Sequence, residues 1–277
     1  MLMNEEDTQK LRQIELQILC EIDRVCRENG IGYFLDSGTL LGAVRHHGFI
    51  PWDDDIDVGM VREDYDRFLK IAPGKLRPEY LLEAPGRSSS VRFSFSKVRR
   101  RGTTFLESAT SSNGSPDGIW VDIFPFDWIE GSPKNVEKKK VKWRRRHKLM
   151  LLRVVPRARH DASALKKVAR SVVRLPLFVH GKAWYCDRLD QLADSREPER
   201  GSVLTCFHYY SAFPALTVSD VYPFTEAQFE GHMFSILHNP CEYLAQVYGD
   251  WQQLPPVNQR IPHHDIVKID FGNVFDK

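Results

Sequence analysis

The sequence predicts an α+β fold with a mixed sheet flanked by helices. Three observations support this prediction: an amphipathic helix pattern near the N-terminus, short β-rich segments between residues 31 and 124, and a long basic segment of helical character after them. Of the 277 residues, 42% are hydrophobic and 27% are charged. This composition is typical of a soluble globular protein and excludes collagen, coiled coils and wholesale disorder.

The first half of the chain alternates between helix and strand signals. Apolar residues from Leu11 to Val25 recur every three or four positions, which predicts a helix from about Glu6 to Glu28 that ends at Asn29-Gly30. Residues 31–35 predict a strand, and charged and apolar residues alternate from 55 to 60 as in a strand with one acidic face. Further strands are predicted at 93–98 and 119–124, the second ending at Pro125, and further helices at 64–70, 134–153, 162–174 and 229–248.

Charge is distributed unevenly along the chain. Residues 134–174 carry a net charge of +14, whereas the remainder carries −12. This asymmetry, together with the order of the predicted elements, divides the chain into a core at 1–130, a basic helical insertion at 131–200 and a C-terminal region at 201–277. The C-terminal region is expected to be helical and to pack on the core.

Nine lysines and arginines fall between Lys134 and Lys148. They favour either a solvated helix face or a peripheral contact with an anionic membrane or polymer, because each base gains about 1 kcal/mol near a negative surface. No recognised nucleic-acid module accompanies them, so we expect no nucleic-acid partner.

The sequence also predicts a cytoplasmic protein, and any contact with a membrane is expected at its inner face. The first ten residues are acidic and polar, unlike a signal peptide, and no apolar run approaches the roughly 20 residues of a membrane span. The five cysteines form no CxxC pair and are odd in number, which favours reduced thiols over a disulfide framework or a zinc site.

The most informative motif is the acidic run from Trp52 to Asp57. In a strand, alternate residues share a face, so Asp53, Asp55 and Asp57 are expected to point the same way with neighbours about 6.6–7 Å apart. Carboxylates at that spacing repel by roughly 2 kcal/mol, and the pattern therefore favours a cation between them. Oxygen ligands select Mg²⁺ or Mn²⁺ over zinc. The alternative is an exposed acidic loop, but the apolar residues on both sides argue against it.

A small turn, Asp36-Ser-Gly-Thr39, precedes these acids. Gly38 lets the backbone approach a ligand closely, and Ser37 and Thr39 offer hydroxyl groups at a helix start, where exposed amides suit a phosphate. A phosphate turn followed 16 residues later by a strand with two carboxylates is the arrangement of nucleotidyltransferase-fold proteins.

Residues 33–68 resemble the signature of the LicD phosphotransferase family, which includes the nucleotidyltransferase domains of fukutin and fukutin-related protein. The matching run is YFLDSGTLLGAVRHHGFIPWDDDIDVGMVREDYDRF. Further similarity covers 93–105, 118–129, 243–256 and the segment RIPHH at 260–264, so the resemblance touches most of the chain and is looser from 134 to 219.

The resemblance implies a nucleotidyltransferase-like catalytic core and a cation-dependent transfer of a phosphorylated alcohol. The donor is expected to be a CDP-activated alcohol, usually CDP-choline and, in the fukutin branch, CDP-ribitol. The acceptor is expected to be a cell-surface glycan or glycolipid, such as lipopolysaccharide or teichoic acid, or its precursor.

The fold analogy assigns both metal binding and catalysis to Asp55, Asp57 and a third carboxylate on a later strand. Asp122 is the best candidate for the third ligand, because an unpaired charge in the apolar run from Trp120 to Phe124 would be costly. It could also take the proton of the attacking hydroxyl group. Asp127 is the fallback and is expected in a turn.

Residues beside these motifs are predicted to bind the donor diphosphate. Arginine can clamp phosphate oxygens with two hydrogen bonds, and lysine acts as a point charge; the alternative for each is an ordinary surface residue. The predicted substrate-binding residues are Ser37, Gly38, Thr39, Arg45, Lys97, Arg99, His263 and His264.

Other functions use parts of the same pattern. A nucleotidyltransferase that moves an NMP group would use the same carboxylates but release pyrophosphate instead of CMP. A transferase could also use CDP-glycerol. A glycosyltransferase that holds a nucleotide sugar with a DxD motif is a further alternative, but that function does not explain the Ser-Gly-Thr turn. A non-catalytic polyanion-binding protein is another, but that function does not explain the clustered aspartates.

Overall fold

The computed structural model describes residues 3–85, 94–107, 118–154, 172, 174–194, 197–207, 214–262 and 264–275. Within these ranges the chain is α+β with a mixed sheet, as predicted. The helices are α1 (Glu5–Asn29), α2 (Ser37–His46), α3 (Arg62–Ile71), α4 (Pro133–Val154), α5 (Lys182–Asp190), α6 (Val218–Val221) and α7 (Pro240–Tyr248). The strands are β1 (Phe34–Leu35), β2 (Asp57–Val61), β3 (Tyr80–Glu83), β4 (Ser96–Arg100), β5 (Thr104–Glu107), β6 (Trp120–Glu130), β7 (Ser202–Cys206), β8 (Thr225–Phe229), β9 (His232–Ile236) and β10 (Ile266–Asp270).

The central sheet has the strand order β1-β2-β6-β4-β3, and β7 pairs with the second half of β6. Strands β2 and β6 run parallel, whereas β1 with β2, β4 with β6, β3 with β4 and β7 with β6 run antiparallel. Strand β6 therefore has neighbours on both sides and is buried along almost its whole length. Two further antiparallel pairs, β5 with β10 and β8 with β9, lie outside this sheet.

Helix α1 matches its prediction to within one residue at each end. The side chain of Asn4 caps its start by accepting the amide of Asp7, and Gly30 ends it in a left-handed conformation with φ of 59°. The apolar stripe is fully buried, and the helix packs against β4 and β6. This packing brings α1 to the sheet that carries the acidic motif.

Strand β6 continues through Pro125, where the sequence predicted its end. The amide of Asp122 donates to the carbonyl of Ile56, which lies on the β2 side. Because amide groups alternate in direction along a strand, position 125 faces the opposite edge. There the pairing with β4 stops at Ile123 and the pairing with β7 starts at Phe126. A proline without an amide hydrogen therefore costs the sheet no hydrogen bond at this point.

The predicted helix at 229–248 is wrong in its first half. Residues 225–236 form the hairpin of β8 and β9, and α7 begins only at Pro240. The hairpin turns at Glu230-Gly231, whose φ angles of 49° and 79° suit a two-residue hairpin loop. The C-terminal region is therefore mixed rather than helical, and it also contributes β10, which pairs with β5.

Helix α4 agrees with the prediction at 134–153, whereas the helix predicted at 162–174 lies almost wholly outside the described residues. The buried side of α4 packs with α5 in an apolar cluster separate from that of the sheet. Its main members are Val136, Trp143, Met150, Tyr185 and Leu189. The division into core, insertion and C-terminal region stays a prediction. None of the helices in the described ranges combines the length and apolar character needed to cross a bilayer.

Candidate active site

Asp57 and Asp122 lie side by side in the parallel register of β2 and β6. The row continues across the sheet, because Asp122 faces Lys97 on β4, and Lys97 faces Glu83 on β3. Residues that are paired across neighbouring strands project from the same face of a sheet. Four charged side chains from distant parts of the chain therefore line up on one face, with Asp122 beside the acidic motif.

Lys97 and Asp122 form an ion pair at the centre of this row. Lys97 Nζ lies 2.5 Å from Asp122 Oδ1, and both side chains are largely buried. The same ammonium group lies 4.2 Å from the ring centroid of Trp120. Burial lowers the pKa of Lys97, and the charge of Asp122 offsets only part of this shift. The role of Lys97 in substrate binding stays a prediction.

The three aspartates that precede β2 do not lie in a strand. Strand β2 begins at Asp57, two residues later than predicted. In a regular strand, consecutive side chains point to opposite faces, whereas one carboxylate oxygen from each of Asp53, Asp54 and Asp55 lies within 4.8 Å of the others. The carboxylates thus converge more closely than the roughly 6.6–7 Å expected from strand spacing.

Backbone contacts hold this acidic segment in place. Arg12 on α1 donates hydrogen bonds to the carbonyl oxygens of Ile50, Pro51 and Asp53, with distances from 2.7 to 3.2 Å. Burial raises the pKa of Asp53 to about 8, and the neighbouring carboxylates of Asp55 and Asp54 contribute to the shift. The fold therefore forces these carboxylates together.

The first turn of α2 touches the same acids. The side chain of Asp36 caps the helix by accepting the amide of Ser37, and the hydroxyl of Thr39 accepts the amide of Asp57 at 2.8 Å. At Gly38, an added Cβ would lie 2.6 Å from Oδ2 of Asp53, so a side chain there would displace the carboxylate. The turn and the acids therefore form one site.

The electrostatics of Asp57 reflect this crowding. Burial raises its pKa well above the usual range, and the charges of Asp55, Asp122 and Asp36 raise it further. Converging carboxylate oxygens are the hard ligands that Mg²⁺ and Mn²⁺ prefer. By ligand type, Asp55, Asp57 and Asp122 suit the divalent cation that the sequence predicts, although Asp122 already pairs with Lys97, and their metal role stays a prediction.

Two predicted substrate-binding arginines have protein partners. Arg99 is buried, and its Nε lies 2.7 Å from Oε2 of Glu83. Arg45 donates to the carbonyl of Trp251 at 2.6 Å, and burial lowers its pKa. Their roles toward the donor stay predictions, and His263 lies outside the described residues.

His264 reaches the acids from the C-terminal region. Its Nδ1 lies 3.2 Å from Oδ1 of Asp54, and its ring meets Trp120 edge-on. Burial lowers the pKa of His264, but the hydrogen bond to Asp54 and the charges of Asp55 and Glu107 outweigh burial and raise the pKa to about 9. His264 therefore supplies positive charge beside the carboxylates.

Glu15 on α1 is a site residue that sequence reasoning missed. Only 3% of it is exposed, and burial together with the charges of Asp55 and Asp54 raises its pKa well above the usual range. A signal was present, because Glu15 follows Leu11 by four residues and precedes Ile18 by three, inside the apolar stripe of the predicted helix. A carboxylate in such a stripe is a candidate functional group.

Tyr243 on α7 was also missed. Its hydroxyl donates to Oδ1 of Asp36, the residue that caps α2, and both side chains are fully buried. This contact ties the C-terminal region to the turn beside the acids. Its place at the start of the family-similar segment 243–256 was the available signal; by its periodicity alone, Tyr243 lies in an ordinary amphipathic helix.

A cavity of about 500 Å³ opens beside the acidic segment. Asp53 and Asp54 line it together with Trp52, residues near the start of α1, and residues 261–266 except 263. Its volume lies within the range of small-molecule sites, about 300–1,000 Å³. A substrate of that size could therefore reach the carboxylates from this side.

Comparison with known proteins finds similarity in the region that contains the acidic motif. Residues 30–162 match the family described as LicD/FKTN/FKRP, nucleotidyltransferase domain. The chain is 28% identical over 257 residues to the lipopolysaccharide cholinephosphotransferase LicD of Haemophilus influenzae, which covers 90% of this chain and 92% of the relative.

Two shorter similarities fall on parts of the chain. An uncharacterized protein of Rickettsia typhi is 47% identical over 57 residues, which are 21% of this chain and 18% of that protein. The ribitol 5-phosphate transferase FKRP of Homo sapiens is 54% identical over 35 residues, which are 13% of this chain and 7% of that protein. The full-length similarity, the family match across the acidic motif and the geometry of the site agree, and residues 30–162 of the chain match the nucleotidyltransferase domain of the LicD family.

Proposed function

We propose that this LicD-type phosphotransferase transfers a phosphorylated alcohol, first of all phosphocholine from CDP-choline, to a hydroxyl group of a cell-surface glycan or its precursor and releases CMP. The observation that carries the proposal is the pairing of Asp57 with Asp122 next to the first turn of α2. The similarity to a lipopolysaccharide cholinephosphotransferase over 90% of the chain supports the head group and the class of acceptor.

Asp55, Asp57 and Asp122 would hold Mg²⁺ or Mn²⁺. When bound, such a cation neutralises charge on the donor diphosphate and on the departing CMP. The chain itself supplies the amides at the start of α2, around Ser37 and Gly38, to which phosphate oxygens can bind. Lys97 and His264 add positive charge on two sides of the carboxylates.

In the transfer, the acceptor oxygen forms a bond to the phosphorus that carries the alcohol. The bond from that phosphorus to the bridging oxygen breaks, and CMP leaves with that oxygen. Asp122 takes the proton of the acceptor hydroxyl; Asp57, whose pKa is raised, is the alternative base. Exclusion of water matters, because hydrolysis of the donor is the competing reaction.

The basic helix α4 suggests how the enzyme meets a lipid-linked acceptor. Its buried side contains Val136 and Trp143, and its exposed side presents six bases against the acid Glu137. The exposed bases are Lys134, Lys138, Lys142, Arg144, Arg145 and Lys148. We propose that this surface contacts anionic lipid at the inner face of the membrane, where each base contributes about 1 kcal/mol.

Two alternatives have specific support. The short similarity to a ribitol 5-phosphate transferase favours CDP-ribitol as donor. The description of the matching family as a nucleotidyltransferase domain favours transfer of the NMP group itself.

The test is product analysis with the purified full chain. CDP-choline, CDP-ribitol and CDP-glycerol are each incubated with Mg²⁺ and a glycan acceptor, and released CMP and modified glycan are measured by mass spectrometry. We expect CMP and phosphocholine-modified glycan. Pyrophosphate release from CTP with an alcohol phosphate would instead establish nucleotidyl transfer, and full turnover in excess chelator would overturn the cation role.

A further inference from the structure

Glu15 is buried in an unusual way for a carboxylate. It lies on α1 with 3% of its surface exposed, and its Oε2 atom has no hydrogen-bond partner within the described residues. The other buried glutamate of this helix, Glu21, pairs with Arg24 through both oxygens and also accepts the amide of Arg77. Leaving a buried carboxylate oxygen without a partner is costly, so Glu15 points to a missing ligand.

The oxygen of Glu15 faces other carboxylates. Glu15, Asp54 and Asp55 line one narrow pocket, too tight to admit a water molecule, together with Trp120 and His264. In the same segment, oxygens of three consecutive aspartates lie within 4.8 Å of one another. Four acidic side chains thus converge where α1 meets the segment before β2.

Three positive groups lie near these acids: Arg12, His264 and Lys97. The guanidinium of Arg12 donates to backbone carbonyls of the segment, including that of Asp53. His264 pairs with Asp54 and approaches Glu107 at 3.8 Å. Lys97 belongs to the row on the sheet and pairs with Asp122. Glu15 Oε2 thus stays without a hydrogen-bond partner within the described residues, and a cation bound among the carboxylates would supply one.

We propose that Glu15, Asp54 and Asp55, with Asp53 beside them, hold a second divalent cation, distinct from the cation proposed at Asp57 and Asp122. All donors are carboxylate oxygens, which select Mg²⁺ or Mn²⁺ over softer metals. This cation fastens α1 to the acidic segment and fixes the position of Asp55, which both sites share. The inference goes beyond the proposed function, since the transfer reaction does not require a ligand from α1.

The test counts bound Mn²⁺ on the full chain by electron paramagnetic resonance, with no substrate present. We expect two Mn²⁺ per parent chain and one in Glu15→Gln. Mn²⁺ should also raise the unfolding temperature of the parent more than that of Glu15→Gln. Without cation, Glu15→Gln should be at least as stable as the parent, because a buried carboxylate without a partner has been removed.

Two controls separate this inference from the proposed function. Glu21→Gln removes a buried but fully paired carboxylate of the same helix, so it should lower stability and still bind two Mn²⁺. Asp122→Asn should lose the other Mn²⁺ and keep the one that depends on Glu15. If Glu15→Gln does not fold, Glu15→Asp, which withdraws the carboxylate by one methylene group, should weaken one Mn²⁺ site at least tenfold.

The number of bound Mn²⁺ in each variant distinguishes failure of the second cation site from failure of the proposed function. One Mn²⁺ in the parent that Glu15→Gln retains and Asp122→Asn loses would overturn the second site and leave the proposed function intact. Two Mn²⁺ in Glu15→Gln would likewise overturn the role of Glu15. Two Mn²⁺ in Asp122→Asn, with one in Glu15→Gln, would support the second site and contradict the metal role of Asp122.

Discussion

Asp57 and Asp122 sit directly opposite each other on the parallel strands β2 and β6, and Lys97 binds Asp122 from the other side. The two aspartates therefore share one face of the sheet but differ in surroundings. Asp57 is crowded by carboxylates, whereas Asp122 has a cationic partner. We therefore expect substitutions at the two positions to change the free energy of unfolding in opposite directions.

We expect Asp57→Asn and Asp122→Asn each to lower transfer activity by at least about 100-fold, as for loss of a group that stabilises transition-state charge. In chelator, Asp57→Asn should gain about 1 kcal/mol of unfolding free energy, because carboxylate repulsion is relieved. Asp122→Asn should lose about 3 kcal/mol, because Lys97 remains buried without its charged partner. CMP release and urea unfolding measure both effects, with Glu226→Gln on the exposed strand β8 as control. Equal stability changes for the two variants would contradict this account.

Gly38 tests the contact between the turn and the acids. Gly38→Ala would place a Cβ 2.6 Å from Oδ2 of Asp53 and push the carboxylate away. Because small displacements of reacting groups are expensive, we expect activity to fall by up to about 100-fold with little change in unfolding temperature. Gly74→Ala, where nothing lies within 4 Å of the added Cβ, should leave activity unchanged. Full activity of Gly38→Ala would show that the position of Asp53 is irrelevant.

Arg62 on α3 forms a buried ion pair with Asp127, a residue that the sequence analysis placed in a turn. It clamps Asp127 with two hydrogen bonds of 2.7 and 3.1 Å and approaches Asp190 of α5 at 3.2 Å. Asp127, the fallback metal ligand, is therefore buried within β6 and paired, rather than in a turn.

Replacing Arg62 with Met should cost about 3–5 kcal/mol of unfolding free energy, because Asp127 would stay buried without a partner. Arg67→Met, which removes an exposed partner of Asp64, should cost less than about 1 kcal/mol. Urea unfolding of both variants measures the difference. Similar losses of unfolding free energy in the two variants would show that the buried Arg62–Asp127 pair matters no more for stability than an exposed pair.

His147 makes the α4–α5 cluster sensitive to acid. It stacks on Trp143, and burial lowers its pKa from 6.5 to about 4. Between these values the unfolded chain binds a proton that the folded chain does not, so stability is lost as pH falls from 6.5 toward 4, by up to about 3 kcal/mol. His147→Phe should reduce the loss of unfolding temperature between pH 7 and pH 5. The exposed control His238→Phe should behave like the parent, and identical pH profiles for all three proteins would refute the assignment.

The basic surface of α4 predicts binding to anionic lipid. Reversal of Lys138, Lys142 and Arg145 to Glu should abolish sedimentation with phosphatidylglycerol vesicles and leave turnover of a soluble acceptor unchanged. Arg146 is unsuitable for this purpose, because it is half-buried and donates to the carbonyl of Arg188. Reversal of the exposed Lys70, Lys75 and Lys268 is the matched control. Vesicle binding that is unchanged by the α4 reversal, or that is absent from the parent protein, would contradict the proposed membrane contact.

The sequence by itself determined the helices with long apolar periodicity and the identity of the reactive groups. Helices α1 and α4 follow their predicted bounds, since a stripe that repeats every 3.6 residues specifies both the element and its buried face. The acidic run and the Ser-Gly-Thr turn were visible for a different reason, because each is a short motif whose reactive groups are adjacent in the sequence. The hairpin at 225–236 was missed because its short alternating strands carry a weaker signal than a helix.

Only the tertiary structure decided which distant groups meet. Strand register sets Asp122 beside Asp57, as the fold analogy implied, and beside Lys97, which nothing in the sequence indicated. No local pattern encodes register between strands so far apart in the chain. The convergence of Asp53, Asp54 and Asp55, the burial of Glu15 against them and the approach of His264 likewise depend on how α1 and the C-terminal region pack. Packing is decided by the whole core, and that is the physical reason why the sequence named most of the carboxylates of the site but not the partners of each one.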